Sequence, residues 1–366
     1  MQVQCNKDEL SLVLQELTSV VPTTTMIPVL NNILVDINDG NLNLVSSDLE
    51  IGLTINIPCK ADSNITTTVP GKLFAEIVRS LNEPIVTMEV QTDSVKILGD
   101  NSEFFINCID PGEFPILPEV SGKAFTLKKD NLLHSYERVI PAVLTKGEGN
   151  IAYSCILLET NANEFKFVTT DGQRLILSKF WDNADFNSLH ILLPPKTFNI
   201  LGRIWPRDES EVQFTVSERE ISFTFKTKRL VSRILEADFP AYEKVIPENV
   251  SFSFKVDKNS LLGTLQRAYI IVRNGTKRVS LDLVSDILTV SGQDPERGWV
   301  TEKIKVIESN GGEWSGLFDA KKLIDGISGV DTEEVVIETS GPFHPLLIRE
   351  PDSDNYIYVL VSLESS

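Results

Sequence analysis

Cysteine and histidine are scarce in this chain, and a continuous apolar run is missing altogether. The 366 residues include four cysteines, Cys5, Cys59, Cys108 and Cys155, without CxxC spacing or any framework for disulfide pairing. That scatter argues against a zinc ribbon or a disulfide-stapled fold and fits buried thiols in a reducing compartment. The three histidines, His134, His190 and His344, share no metal-ligand spacing. A Gly-rich phosphate loop and a nucleophile elbow are lacking too. An enzyme is therefore not expected, and neither a catalytic residue, a metal nor a cofactor is assigned. No stretch approaches the roughly 20 apolar residues that span a bilayer. Met1-Gln2-Val3-Gln4-Cys5 reads as a strand, not as the basic and apolar opening of a signal peptide. A cytoplasmic protein with no membrane partner is expected. Positive charge is short as well: 34 Lys and Arg stand against 52 Asp and Glu, a net charge of −18. Taken globally, that balance argues against nucleic acid as a partner.

What the chain holds in quantity is repetition. Val69-Pro70-Gly71-Lys72-Leu73-Phe74, Leu193-Pro194-Pro195-Lys196-Thr197-Phe198 and Phe318-Asp319-Ala320-Lys321-Lys322-Leu323 each give an apolar residue, a helix start signal, a lysine and a helical apolar pattern. Lys72, Lys196 and Lys321 are 124 and 125 residues apart. Lys7-Asp8-Glu9-Leu10, Lys129-Asp130-Asn131-Leu132 and Lys258-Asn259-Ser260-Leu261 open three further helical runs in the same order. Ser47-Asp48-Leu49 matches Thr170-Asp171-Gly172, and Pro111-Gly112-Glu113-Phe114-Pro115 matches Glu236-Ala237-Asp238-Phe239-Pro240. Period-two strands fill the rest, among them Asn41–Val45, Val86–Val90, Val212–Val216, Ile221–Phe225 and Tyr356–Leu360. Two helices per unit between strand runs imply three copies of one α+β domain with antiparallel sheets, over 1–120, 121–248 and 249–366. Sheets of this kind have exposed edges, which are either hazards or docking places for the next unit.

The repeated second helices carry Lys72 and Arg79, Lys196 and Arg203, and Lys321 with Lys322; the first helices add Arg138 and Arg267. Residues seven apart lie two turns along one helix face. Such cations are either solvated helix faces or a common surface for a phosphate backbone, and their recurrence favours the second.

Three segments carry a family resemblance: Ile27-Pro28-Val29-Leu30-Asn31-Asn32-Ile33-Leu34, Thr169-Thr170-Asp171-Gly172-Gln173-Arg174-Leu175 and Phe239-Pro240-Ala241-Tyr242-Glu243-Lys244-Val245-Ile246-Pro247. With the threefold period, they make the whole chain resemble the bacterial DNA polymerase III beta subunits, the replicative sliding clamps. The resemblance implies a homodimer of three-domain subunits, joined head to tail into a ring. Its helices would face sequence-independent double-stranded DNA, with the sheets outside. It implies a processivity factor tethering the DNA polymerase III catalytic subunit and other proteins through short clamp-binding motifs, after opening by a clamp loader. The peptide slot carries over to Thr170, Gly172, Arg174, Leu175, Pro240, Lys244, Val245, Val359 and Val361, with Tyr153 nearby. Arg174 is expected to fix the polar part of the peptide. The subunit joint carries over to Phe104, Ile106, Ile270 and Ile271.

The chain departs from the family pattern at three places. Ser362 and Glu364 replace the usual proline and arginine of a terminus that here runs to Ser366. Thr23-Thr24-Thr25 occupies a loop that commonly holds a DNA-facing arginine, and Lys146–Ala152 lacks the usual basic and aromatic residues. These changes keep a second reading open, a diverged clamp-like adaptor with an altered slot or DNA grip.

Overall fold

A computed structural model describes residues 1–145, 150–310 and 312–363. Lys146, Gly147, Glu148 and Gly149 of the loop named above, and Glu364 and Ser366 of the terminus, lie outside the described residues.

Six helices form where the repeats predict them: α1 (Lys7–Thr18), α2 (Gly71–Ser80), α3 (Lys129–Val139), α4 (Pro195–Ile204), α5 (Lys258–Val272) and α6 (Ala320–Ser328). Capping fixes several starts. Asn6 accepts the Glu9 N–H at 3.0 Å, Asp257 the Ser260 N–H at 2.7 Å, and Asp319 the Lys322 N–H at 2.9 Å. Helix α1 buries Leu10, Val13, Leu14 and Leu17, the i, i+3, i+4, i+7 face of an amphipathic helix.

Compactness divides the chain into two units. The first comprises Met1–Lys129 and Lys196–Leu235, the second Asp130–Pro195 and Glu236–Ser366. The middle third of the sequence is thus shared between them.

In the first unit, a five-stranded sheet runs β5 (Lys60–Ala61), β1 (Gln2–Asn6), β7 (Ile85–Val90), β8 (Ser94–Leu98), β9 (Glu103–Asn107). An eight-stranded sheet runs β10 (Ala124–Lys128), β13 (Glu211–Val216), β14 (Glu220–Thr224), β15 (Lys228–Arg233), β4 (Ile51–Pro58), β3 (Asn41–Ser47), β2 (Asn32–Asn38), β6 (Ile65–Pro70). Helix α1 packs on α2 and on β3 and β4.

In the second unit, seven strands run β11 (Ile156–Thr170), β12 (Arg174–Leu193), β24 (Tyr356–Leu360), β23 (Leu346–Arg349), β22 (Glu334–Thr339), β16 (Phe252–Asp257), β20 (Glu308–Ser309). Four more run β19 (Gly298–Lys305), β18 (Ile287–Asp294), β17 (Arg278–Val284), β21 (Trp314–Asp319). Helix α5 packs on α6 and on β16 to β19.

The edge-to-edge joining of repeats is visible inside both large sheets. In the first unit β15 pairs antiparallel with β4, setting Leu230 opposite Leu53. In the second, β12 pairs antiparallel with β24, setting Ile176 opposite Tyr358. All four side chains are fully buried, each contributing about 1.5–3 kcal/mol of hydrophobic stabilisation. These joints explain why compactness does not follow the sequence repeats: each ladder welds part of the middle repeat to a neighbour. Strands β9 and β19 end their sheets, with no strand beyond them among the described residues.

Candidate functional site

The turn between β11 and β12 organises the expected peptide slot. Asp171 accepts the N–H groups of Gln173 and Arg174 at 2.9 and 3.0 Å through one carboxylate oxygen, while the Thr170 hydroxyl donates to the Arg174 carbonyl at 2.7 Å. Gly172 takes a left-handed φ of 83°, open to glycine without steric cost. A side chain there would come within 3.6 Å of the Tyr153 ring, so Tyr153 sits directly beside the turn. Leu175 lies opposite Val359 in the β12–β24 ladder, and the Val361 N–H donates to the Gln173 carbonyl at 3.0 Å. The structure therefore gathers Tyr153, Thr170, Gly172, Leu175, Val359 and Val361. Thr170, Leu175 and Val359 are buried, whereas Val361 is 45 % exposed.

Pro240, Lys244 and Val245 are held by other contacts. Tyr242, in the short 3-10 helix Tyr242–Val245, donates to Glu159 at 2.5 Å and packs edge-on against Phe239. Lys244 and Val245 are exposed. No hydrogen bond or ion pair among the described residues links them to the Asp171 turn.

Arg174 belongs to the same turn. Adjacent strand residues point to opposite faces, and its guanidinium lies on the helix side. There it pairs with Asp171 at 3.1 Å and Asp325 at 2.8 Å, and donates to the Pro141 carbonyl. These partners hold its side chain largely inside the fold, 11 % exposed. Lys322 completes the cluster, 3.1 Å from Asp171 and 2.6 Å from the Gln173 side chain. Burial alone would raise the Asp171 carboxyl, but the Gln173 N–H, Lys322 and Arg174 hold it below the usual carboxylate value. Ser362, at the altered terminus, is buried and donates to the Leu317 carbonyl at 3.3 Å; the Leu363 N–H reaches the same oxygen at 2.7 Å.

The eight expected DNA-facing cations divide into three kinds. Arg138 and Lys322 are tied into the fold by ion pairs and hydrogen bonds, Arg138 buried and Lys322 half-buried. Arg138 is 7 % exposed, pairs with Glu350 and with Asp331 at 3.4 Å, and lies 4.4 Å over the Tyr356 ring. It also donates to the Gly329 carbonyl at 2.7 Å, where a cation suits the end of α6. Lys196, Lys321 and Arg267 are paired, with Asp48, with Asp325 at 2.7 Å and with Glu302 at 2.6 Å. Lys72, Arg79 and Arg203 are exposed and have no carboxylate partner among the described residues.

Three consecutive family models match the chain: the DNA polymerase III beta subunit N-terminal domain over residues 1–118, its central domain over 126–241 and its C-terminal domain over 243–364. The chain belongs to the DNA polymerase III beta subunit family. A beta sliding clamp of Staphylococcus epidermidis is 24 % identical over 368 residues, and one of Staphylococcus aureus 25 %, each alignment covering 95 % of both chains. The crystal structure of a DNA polymerase sliding clamp from Bacillus subtilis matches with a TM-score of 0.95 at 24 % identity. It covers both chains completely. A DNA polymerase III subunit beta from Pseudomonas aeruginosa gives 0.93 at 24 %, again over the whole of both chains.

Sequence reasoning missed one member of the repeated turn. Asp294 accepts the N–H groups of Glu296 and Arg297 at 3.0 and 3.1 Å, as Asp48 accepts those of Glu50 and Ile51 at 3.0 and 2.7 Å. Pro295 after Asp294 hides the likeness to Asp171-Gly172. Among the expected joint residues, Ile270 is exposed and Phe104 and Ile271 are half-buried. Ile106 is corrected to a core residue, 3 % exposed and opposite Val95 within its own sheet. Its neighbour Phe105, on the other face of β9, is 64 % exposed.

Proposed function

We propose that two copies of the chain close head to tail into a ring around duplex DNA and act as a processivity factor. The ring would tether the DNA polymerase III catalytic subunit and other proteins bearing short clamp-binding peptides. The observation that carries this reading is the pair of internal joints together with the edge strands β9 and β19, which lie at ends of their sheets. Repeats that join by antiparallel edge pairing within the chain leave β9 and β19 for a second copy, and a heterologous contact closes a ring when the rotation fits.

Phosphate contacts suffice for binding without sequence preference, and Lys72, Arg79 and Arg203 are the expected cations that have no carboxylate partner among the described residues. The apolar step formed by Leu175, Val359 and Val361 beside Tyr153 suits a Leu or Phe anchor of a bound peptide. The clamp is read as non-enzymatic and cytoplasmic, retaining DNA by closure and relying on an ATP-driven clamp loader for opening.

Primer extension on a singly primed circular template tests this function. With the polymerase III catalytic subunit, a clamp loader and ATP, adding the chain should lengthen the products made per binding event. Unchanged product length would overturn it.

A further inference from the structure

Two of the scattered cysteines meet in the first unit. Strand β1 pairs antiparallel with β5 through Val3 opposite Ala61 and Gln4 opposite Lys60. One step along that ladder, Cys5 falls opposite Cys59, 54 positions away in the sequence. Opposite residues of an antiparallel pair point to the same face of the sheet.

Hydrogen bonding fixes the kind of pair. On the other side of β1, the Met1 amino group donates to the Val90 carbonyl at 3.2 Å, and the Val90 N–H donates back to the Met1 carbonyl at 2.8 Å. The odd-numbered residues of β1, Cys5 included, therefore turn their N–H and C=O toward β7. The Cys59 N–H donates to the Gly40 carbonyl at 2.9 Å, away from β1. Cys5 and Cys59 are thus a non-hydrogen-bonded pair, in which Cα atoms approach to about 4.5 Å and side chains lie closest. That separation is within the roughly 4.4–6.8 Å that a disulfide bridges. The other two thiols are placed differently. The Cys108 N–H donates to the Asp93 carbonyl at 2.8 Å, and Cys155 belongs to the second unit.

Exposure sets the order of events. Cys5 is 4 % exposed, whereas Cys59 is half-buried where the chain passes from β4 to β5. Burial pushes the Cys5 thiol up to about 12, with the charges of Cys59 and Glu9 adding to the rise, and burial raises Cys59 as well. Both groups are therefore thiols at neutral pH and react slowly, Cys5 more slowly than Cys59.

We propose that Cys5 and Cys59 form a redox modification site, which takes a small disulfide such as oxidised glutathione and closes to an intrachain disulfide. The Cys59 thiolate attacks one glutathione sulfur, breaks the S–S bond and releases the first glutathione as its thiolate. The Cys5 thiolate then attacks the Cys59 sulfur of the mixed disulfide, forming the Cys5–Cys59 bond and releasing the second glutathione thiolate. The two protons lost by the cysteines end on the two glutathiones. The protein is oxidised by two electrons and the glutathione disulfide is reduced by the same two. The bond staples the first strand of the chain to the crossing between the two sheets of the first unit, beside the two-residue strand β5. It stabilises by restricting the unfolded chain. The site stands apart from the ring reading and does not depend on it.

Peptide mapping of the full chain tests the site. Folded protein is incubated with oxidised glutathione at mildly alkaline pH, remaining thiols are blocked with iodoacetamide in denaturant, and the unreduced digest is read by mass spectrometry. The expected product is a linked pair of peptides carrying Cys5 and Cys59, with Cys108 and Cys155 still alkylated. In Cys5→Ala, Cys59 should stop at the mixed disulfide and retain glutathione. A parent chain in which Cys59 retains its glutathione, or links to Cys108 in preference to Cys5, overturns the pair. So does a parent in which Cys5 and Cys59 are both alkylated after a denatured control has fully oxidised. In a second measurement, hydrogen exchange at the Lys60 amide should slow by about tenfold or more in the linked protein and recover on reduction. Unchanged exchange there would overturn the staple.

Discussion

Lys322 Nζ lies 3.1 Å from an Asp171 carboxylate oxygen, and Lys196 makes the same kind of ion pair with Asp48 one repeat earlier. In both, one aspartate oxygen closes its own turn through two backbone N–H groups, and the other receives a lysine from the second helix of the following repeat. The lysine therefore ties a turn to the helix beyond the joint. Among the three recurrent lysines Lys196 has this duty, whereas Lys321 pairs with Asp325 of its own helix and leaves the turn to its neighbour Lys322.

Lys322→Ala should loosen the Thr170–Leu175 turn, because it removes one of the two cations on the largely buried Asp171 and leaves only Arg174 to offset its charge. The expected loss is about 2 kcal/mol, read by native-state hydrogen exchange at the Gln173 and Arg174 amides. Unchanged protection there would show the tie to be ornamental.

The Asp171 carboxyl is held below its ordinary value of 3.8 in the fold. Its stabilising contribution is complete above that value and is lost as pH falls through the lower, folded value. Urea midpoints measured from pH 5 downward should fall more steeply for the parent than for Asp171→Asn, which has nothing to titrate at that site. Parallel slopes would contradict the assignment.

Arg138 and the exposed cations should separate cleanly. Arg138→Ala should destabilise the fold by about 3 kcal/mol or more, since it leaves Glu350 buried and unpaired. It should not alter the salt dependence of DNA association. Lys72→Ala, Arg79→Ala and Arg203→Ala should leave stability nearly unchanged and reduce the slope of log K against log salt by roughly one for each phosphate no longer neutralised. The check is DNA binding across a salt series, alongside thermal melting of each variant.

Val361→Asp places a charge on the exposed lip of the apolar step. Binding of a fluorescent clamp-binding peptide, followed by anisotropy, should weaken by at least about tenfold. The dimer mass should be unaffected, because the residue belongs to the β12–β24 joint and not to an open edge.

Much of the fold is legible in the sequence. Helix starts at Asn6, Asp257 and Asp319 follow from local capping chemistry, and the strands follow from period-two alternation, both properties of neighbouring residues. The roles of charged side chains are less legible because their partners are remote. Lys196 meets Asp48 across 148 positions and Arg138 meets Glu350 across 212. Nothing local distinguishes such a cation from one that faces solvent. The Leu175–Val359 step is foreshadowed by the family motif, whereas Arg174, one residue away, turns to the opposite face and meets Asp325. Phe105 escapes notice for a similar reason. Of three consecutive apolar residues, alternation leaves one outward, and only the sheet decides which.

The solution mass of the purified chain, measured by light scattering at micromolar concentration, tests the two-copy ring most directly. One chain weighs 40.8 kDa. A single species at twice that mass is the expected result, with β9 and β19 paired to a second copy. A strict monomer would contradict the ring and leave β9 and β19 without their partners.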